Sequence, residues 1–268
     1  MEWSSTNALP LKVSKCVAME FNTKWRGSIL NSTGFTNHAY FCNGQRIGWV
    51  DKHTDLGVIF DVHMDFSDHI KLIITRANQA KASINKCFYF TEKKIKLKLY
   101  SCYVCPILEY NSIIWLPVSF CQINSIESIQ HSFTRYQFPI RQLNYIQHLS
   151  VLNFMSLEHR RQILDLVFLF KVINNNIKLI HQADLQLLNV NSVRLHTNFK
   201  EIFTAGHALD HDYSHHVIAI WNCLAQEIKE STSLLSFKHM LFKFYLKKYY
   251  TNNWVCIPFY PSHFTFCI

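Results

Sequence analysis

The chain has 268 residues, 49% hydrophobic, 15% aromatic and 17% charged, a balance that excludes a disordered or polar-repeat protein. Only six Gly and six Pro exclude a collagen-like or loop-rich scaffold and favour long helices. The formal charge of +9 divides as +2 over residues 1–60, +3 over 61–140 and +4 over 141–268, a spread compatible with a polyanion partner but shared by many proteins that bind none.

Residues 1–66 have β character. Lys15–Phe21 alternates apolar and polar side chains as a half-buried strand does. Ala39–Cys42, Asn43-Gly44 and Arg46–Val50 form a hairpin pattern, since Asn-Gly supplies the positive φ angles of a tight turn. Leu56–Phe60 is a continuous apolar run, expected as a more buried strand. From Ser67 the period turns helical. Ile70, Ile73, Ala77, Ala80, Ile84 and Phe88 recur every three or four residues, with Ser67 or Asp68 placed to cap the start. A second helix is expected from Glu92 towards Pro106, with Ile95, Leu99 and Cys102 on one face and a restart at the proline. Further helices are expected over 121–136, 157–174, 213–229 and 234–250, with 186–208 as a flexible link. The expected fold is α+β and predominantly α, divided as 1–66, 67–185, 186–208 and 209–268.

Ile163–Ile173, the longest apolar run, is interrupted by Asp165 and Lys171 and is too short to cross a bilayer. The opening MEWSSTNALPLKV has neither a basic nor an apolar signal region, so an intracellular setting is expected, nucleus or cytoplasm, with no membrane. Nine scattered cysteines then read as reduced thiols, and Asn31-Ser32-Thr33 as a polar turn. Cys102-x-x-Cys105 lacks the second pair of a zinc site. His211, His215 and His216 beside Asp210 and Asp212 read as a solvated helix start, because no glutamate stands between them as in a metalloprotease helix. No metal site and no cofactor are expected. Phe88, Phe133, Phe168, Phe170, Phe242 and Tyr245 fall on apolar helix faces and read as core. Tyr40, Phe41 and Trp49, on the hairpin, are the aromatics that remain for nucleic-acid contact.

Asp55-Leu56-Gly57-Val58, Phe60-Asp61, Phe66, His69-Ile70 and Ala80 together resemble a block found just after the palm in non-LTR (LINE-type, jockey- or CR1-like) retrotransposon reverse transcriptases. Upstream, Asn7–Cys16 is similar to the segment that leaves the palm. Downstream, Tyr103-Val104, Pro106–Tyr110, Trp115-x-Pro117, Ile126-Glu127, Gln130 and Phe133–Arg135 match in order. Tyr145, Leu149, Leu152, Ser156–Glu158, Arg160-Arg161, Trp221-Asn222 and Ser236–Lys238 continue the series. The sequence departs from the family at His148, where Arg is usual, and at Ala225, where Pro is usual.

The resemblance implies the end of a palm with a primer-grip-like hairpin, then a helical thumb-like bundle and a C-terminal extension. The parent activity would be RNA-directed DNA synthesis with magnesium. That chemistry needs carboxylates holding two divalent ions about 3.5–4 Å apart, which the family takes from an earlier palm strand and a Tyr/Phe-x-Asp-Asp turn. The nine Asp of this chain include no adjacent pair. Asp51, Asp55, Asp61, Asp65 and Asp68 fall at strand ends, turns and a helix start, where Asp ordinarily bonds backbone amides. The chain is therefore expected to be non-catalytic, with no small-molecule substrate.

What a thumb contributes is cations that neutralise phosphates without reading sequence. Lys81, Lys86, Lys93, Lys94, Lys96 and Lys98, with Glu92 the one acid among them, are the first candidates for gripping a duplex or RNA/DNA hybrid backbone. Arg160 and Arg161 are the second, and Lys243, Lys247 and Lys248 a weaker third. The rival reading is a helical module that packs only against proteins, or an unselected retroelement remnant.

Overall fold

The N-terminal strands are short and pair locally. In the computed structural model, which describes residues 6–7, 12–21, 39–42, 44–117, 119–139, 143–174 and 213–249, a 3-10 turn over Val13–Lys15 leads into β1 (Val17–Ala18). β2 (Phe41–Cys42) and β3 (Gln45–Arg46) form the antiparallel hairpin, with Gly44 at φ 75°. The strand expected after that turn breaks at Ile47, and β4 (Gly48–Trp49) pairs with β1 in parallel instead. The long strand expected over 15–21 is reduced to two residues, because the amides of Lys15 and Cys16 are taken by the carbonyls of Lys12 and Val13 at 2.9 Å.

The apolar run at 56–60 is half turn and half strand. Leu56 (φ 44°) and Gly57 (φ 84°) make the two-residue loop of a hairpin between β5 (Lys52–Asp55) and β6 (Val58–Asp61), in register Lys52↔Asp61 to Asp55↔Val58. Both loop residues are left-handed, as a primed hairpin turn requires. The chain divides into two compact units, Met1–His69 and Ile70–Ile268.

Nine helices are described: α1 (Ser67–Cys87), α2 (Lys93–Tyr103), α3 (Cys105–Glu109), α4 (Phe120–Gln137), α5 (Tyr145–Val151), α6 (Leu157–Ile173), α7 (Tyr213–Asn222), α8 (Gln226–Lys229) and α9 (Leu234–Tyr249). The architecture is thus α+β and predominantly α, as expected. At the start of α1, Asp65 Oδ1 accepts from Ser67 N at 2.7 Å. Pro106 sits in the first turn of α3, where its missing N–H leaves no helical bond unmade. Capping boxes start α4 (Ser119 with Gln122) and α5 (Asn144 with Gln147). The single helix expected over 213–229 is two, since extended backbone at Ala225 separates α7 from α8.

α6 lies at the centre of the helical unit, against α3, α4, α7 and α9. Leu166 and Phe170 meet Trp221, Phe237, Leu241 and Tyr245, and the Phe170 and Phe237 rings stack with centroids 4.2 Å apart. Tyr100 and Phe133 stack at 4.4 Å, and Trp115 is fully buried, its indole N–H donating to the Tyr110 carbonyl. The inward face of α2 is not Ile95, Leu99 and Cys102. It is Lys96, Tyr100 and Val104, while Ile95 and Cys102 are exposed. Among the described residues no helix is long and apolar enough to cross a membrane. The link at 186–208, the sequon at 31–33, Asn43, and Asp210, His211 and Asp212 lie outside the described residues, as do the side chains of His215 and His216.

Candidate nucleic-acid interface

The cationic candidates begin where α1 ends and α2 starts. Lys86, Lys93, Lys94 and Lys98 are exposed. Lys94 and Lys98, one helical turn apart, share the outward face of α2 with exposed Cys102, nearly opposite buried Lys96. The Lys93 ammonium lies 5.5 Å from the centroid of the Phe138 ring, which supports its stem while leaving the head in water.

Two of the six lysines are used internally. Lys96 is 7% exposed and its Nζ donates to the Tyr89 carbonyl at 3.0 Å, tying the turn between the two helices. Lys81 Nζ donates to Ser132 Oγ at 2.8 Å between α1 and α4, and burial lowers its pKa. Of the six candidate lysines, four, Lys86, Lys93, Lys94 and Lys98, are thus exposed and not bonded internally in this way.

Arg160 and Arg161 also turn inward, against expectation. Arg160 forms a two-point pair with Glu109, Nε to Oε1 and Nη2 to Oε2, the second bond 2.9 Å long. Burial opposes its charge, yet Glu109 holds the guanidinium pKa above its ordinary value. Arg161 is 3% exposed and its pKa is lowered by burial. A guanidinium committed to such a place would have to unpack α6 to reach a phosphate.

Around these arginines the matched residues interlock. Glu127, on α4, accepts from the Tyr145 hydroxyl, from Leu157 N at 3.2 Å and from Glu158 N at 3.3 Å. It thus places negative charge at the N-terminus of α6, the favourable end of the helix dipole. Gln130 Nε2 donates to the Met155 carbonyl at 3.0 Å and to the Tyr145 hydroxyl at 3.2 Å. These residues hold three helices in register, and that is a structural task.

Asp61 and Asp65 accept from backbone amides, and Asp68 pairs with a lysine. Asp61 Oδ1 accepts from His63 N at 2.8 Å, Asp65 Oδ1 from Ser67 N as above, and Asp68 pairs with Lys52. Such a set does not fit a magnesium pair, because turning these oxygens to an ion would open the turn that leads into α1. Cys102 is exposed while Cys105 is buried, its thiol pushed up to about 12 by burial. That is the opposite of a metal-ready thiolate. Among the described residues no three His, Cys, Asp or Glu converge as a metal site.

Of the hairpin aromatics, Tyr40 and Phe41 are exposed and Trp49 is half-buried against Tyr40, with ring centroids 5.5 Å apart. Lys243, Lys247 and Lys248 are exposed on α9, with Lys248 lying 5.4 Å from the Phe244 ring centroid.

The sequence reading missed the aromatic tip between α1 and α2. Phe88, taken for core, is 41% exposed, Tyr89 is 65% exposed and Phe90 is 98% exposed. Three aromatics in a row cannot all follow a helical stripe, and that was the available signal.

No family model matches the chain. A curated protein of Caenorhabditis elegans, "Uncharacterized protein B0403.1", is 27% identical over 114 residues, covering 41% of this chain and 58% of that protein. The chain therefore matches little more than half the length of that relative, whose name states no activity. No solved structure matches.

Proposed function

We propose that the chain derives from the post-palm portion of a non-LTR retrotransposon reverse transcriptase and grips nucleic-acid backbone without sequence preference and without catalysis. The observation that carries the binding reading is the four exposed lysines, Lys86, Lys93, Lys94 and Lys98, with Glu92 the one acid between them. Two further features support the derivation. The matched residues pair with one another, Glu127 and Gln130 with Tyr145, and Glu109 with Arg160. Ala225, where the family has Pro, sits at φ −62°, the angle a proline ring would impose.

The test is a salt titration of binding to a labelled blunt duplex. Each phosphate neutralised by a lysine releases counterions, so three or four contacts give a slope of log affinity on log salt of about −3. A variant with all four lysines changed to Gln should flatten that slope and keep its melting temperature, because exposed substitutions generally stay within about 0.5 kcal/mol. Equal slopes for parent and variant would remove the nucleic-acid reading and leave a helical protein-interaction module. On a primed template with magnesium or manganese, the expected result is no primer extension. Reproducible metal-dependent incorporation would overturn the non-catalytic reading.

A further inference from the structure

We propose that the tip Phe88-Tyr89-Phe90 is a stacking platform for unpaired bases, so that the chain takes single-stranded polynucleotide in preference to blunt duplex. This rests on the backbone-binding reading above and adds a second kind of contact to it. Folding alone does not account for the tip, since a helical connection gains nothing by displaying three large rings to water.

The tip is built rather than loose. Phe88 N donates to the Ile84 carbonyl and Thr91 N to the Phe88 carbonyl, both at 3.1 Å, while Lys96 Nζ holds the Tyr89 carbonyl from beneath. Tyr89 and Phe90 meet edge to face, centroids 5.0 Å apart and planes 88° apart. Lys96 also lies 5.9 Å from the Tyr89 ring centroid. Phe90, 98% exposed, is therefore the ring left open to a ligand. An open aromatic face on a hydrogen-bonded turn is what sequence-tolerant base stacking requires.

The cations are placed to follow a strand. Lys86 stands two residues before the tip, Lys93 and Lys94 three and four after Phe90, and Lys98 one turn further along α2. At about 1.5 Å of rise per residue, Lys94 and Lys98 are about 6 Å apart along the helix axis. Lys94 and Lys98 thus recede from the aromatics along one face of α2, while Lys86 stands on the other side of the tip, on α1. A bilayer would call only for cations level with the tip, and Lys98, a turn further down α2, is placed instead to meet a following phosphate of a strand, so the polynucleotide is the better partner.

The experiment compares the full chain with Phe90→Ala and with the four-lysine Gln variant. Each is titrated with labelled single-stranded oligothymidine, a blunt duplex of equal length, and vesicles containing phosphatidylserine. Phe90→Ala should weaken single-strand binding by about 10- to 100-fold, leave duplex affinity unchanged, and retain the same salt slope on both. The four-lysine variant should flatten the slope on both. Circular dichroism of Phe90→Ala should match the parent, since the ring packs into no core. Unchanged single-strand affinity, or an equal loss on duplex, would overturn the platform while leaving the backbone reading intact. A Phe90→Ala loss confined to vesicles would assign the tip to membrane. A parent that binds neither oligonucleotide overturns both readings.

Discussion

Replacing Glu109 with Gln is expected to destabilise the fold by about 3–5 kcal/mol, because it leaves the Arg160 guanidinium inside the helical unit without its counter-charge. The side chains of the two residues are only 11% and 12% exposed, so water cannot take the place of the lost carboxylate. For a unit of this size the loss corresponds to a fall in melting temperature on the order of 10 °C. The double variant Glu109→Leu with Arg160→Met should recover most of it, since a buried pair replaced whole by apolar side chains costs little. Thermal melts of Glu109→Leu, Arg160→Met and the double close the cycle. A Glu109→Gln loss under about 1 kcal/mol would mean that the pair is solvated. Arg160 would then return to the set of cations able to meet phosphate.

That pair also shows where sequence reading works and where it stops. Helices from Ser67 onward were readable because their apolar residues recur at the helical period, and Pro106 marked its own helix break. The hairpin at Gly44 was readable from its turn chemistry, while the one at Leu56-Gly57 was not. There β5, Lys52–Asp55, is wholly polar, and a leucine occupies a left-handed position that glycine or asparagine would have announced. The inward face of α2 was misjudged because Lys96 and Tyr100 counted as polar positions. A lysine that reaches a backbone carbonyl inside the fold looks, in sequence, like any surface lysine.

The same ambiguity shaped the candidate site. Arg160-Arg161 and Lys93–Lys98 are equally basic on paper, and what separates them is long-range. Glu109 is 51 residues from Arg160, and Glu127 is 30 residues from the helix start it caps. No local pattern encodes those distances. The resemblance fixed the order of Glu109, Glu127, Gln130, Tyr145 and Arg160 along the chain, but it did not say that they meet. Glu109 meets Arg160 between α3 and α6, and Glu127 and Gln130 meet Tyr145 between α4 and α5, so these matched residues hold helices together. Lys86, Lys93, Lys94, Lys98 and Phe90 stay exposed outside those contacts.

Asp165 provides the second large effect, a loss of stability between pH 6.5 and 8 that Asp165→Asn should abolish. The carboxyl is 1% exposed on α6, and burial pushes it up to about 8 against the pull of Arg161, four residues earlier. In the unfolded chain it titrates near 3.9. Between those values the folded state holds a proton that the unfolded state has released, so stability falls as pH rises and levels off above about 8. Below pH 6.5 a second group opposes this. Burial lowers His159 to about 4, so the unfolded chain takes up a proton there that the fold refuses, and stability falls as pH drops towards 4. The histidine contribution is absent above its unfolded pKa, which leaves pH 6.5–8 as the window in which Asp165 is seen. At up to about 1.4 kcal/mol per pH unit, the parent should lose on the order of 2 kcal/mol across it, and about 5 °C of melting temperature. Asn preserves the shape of the side chain and cannot ionise, so its melts should lack that fall, and the variant should overtake the parent as pH approaches 8. Parallel curves for the two proteins would mean that Asp165 is ionised in the fold and paired with Arg161. In that case Asp165→Asn would instead lower stability at every pH in the window, by leaving the Arg161 charge buried without its partner.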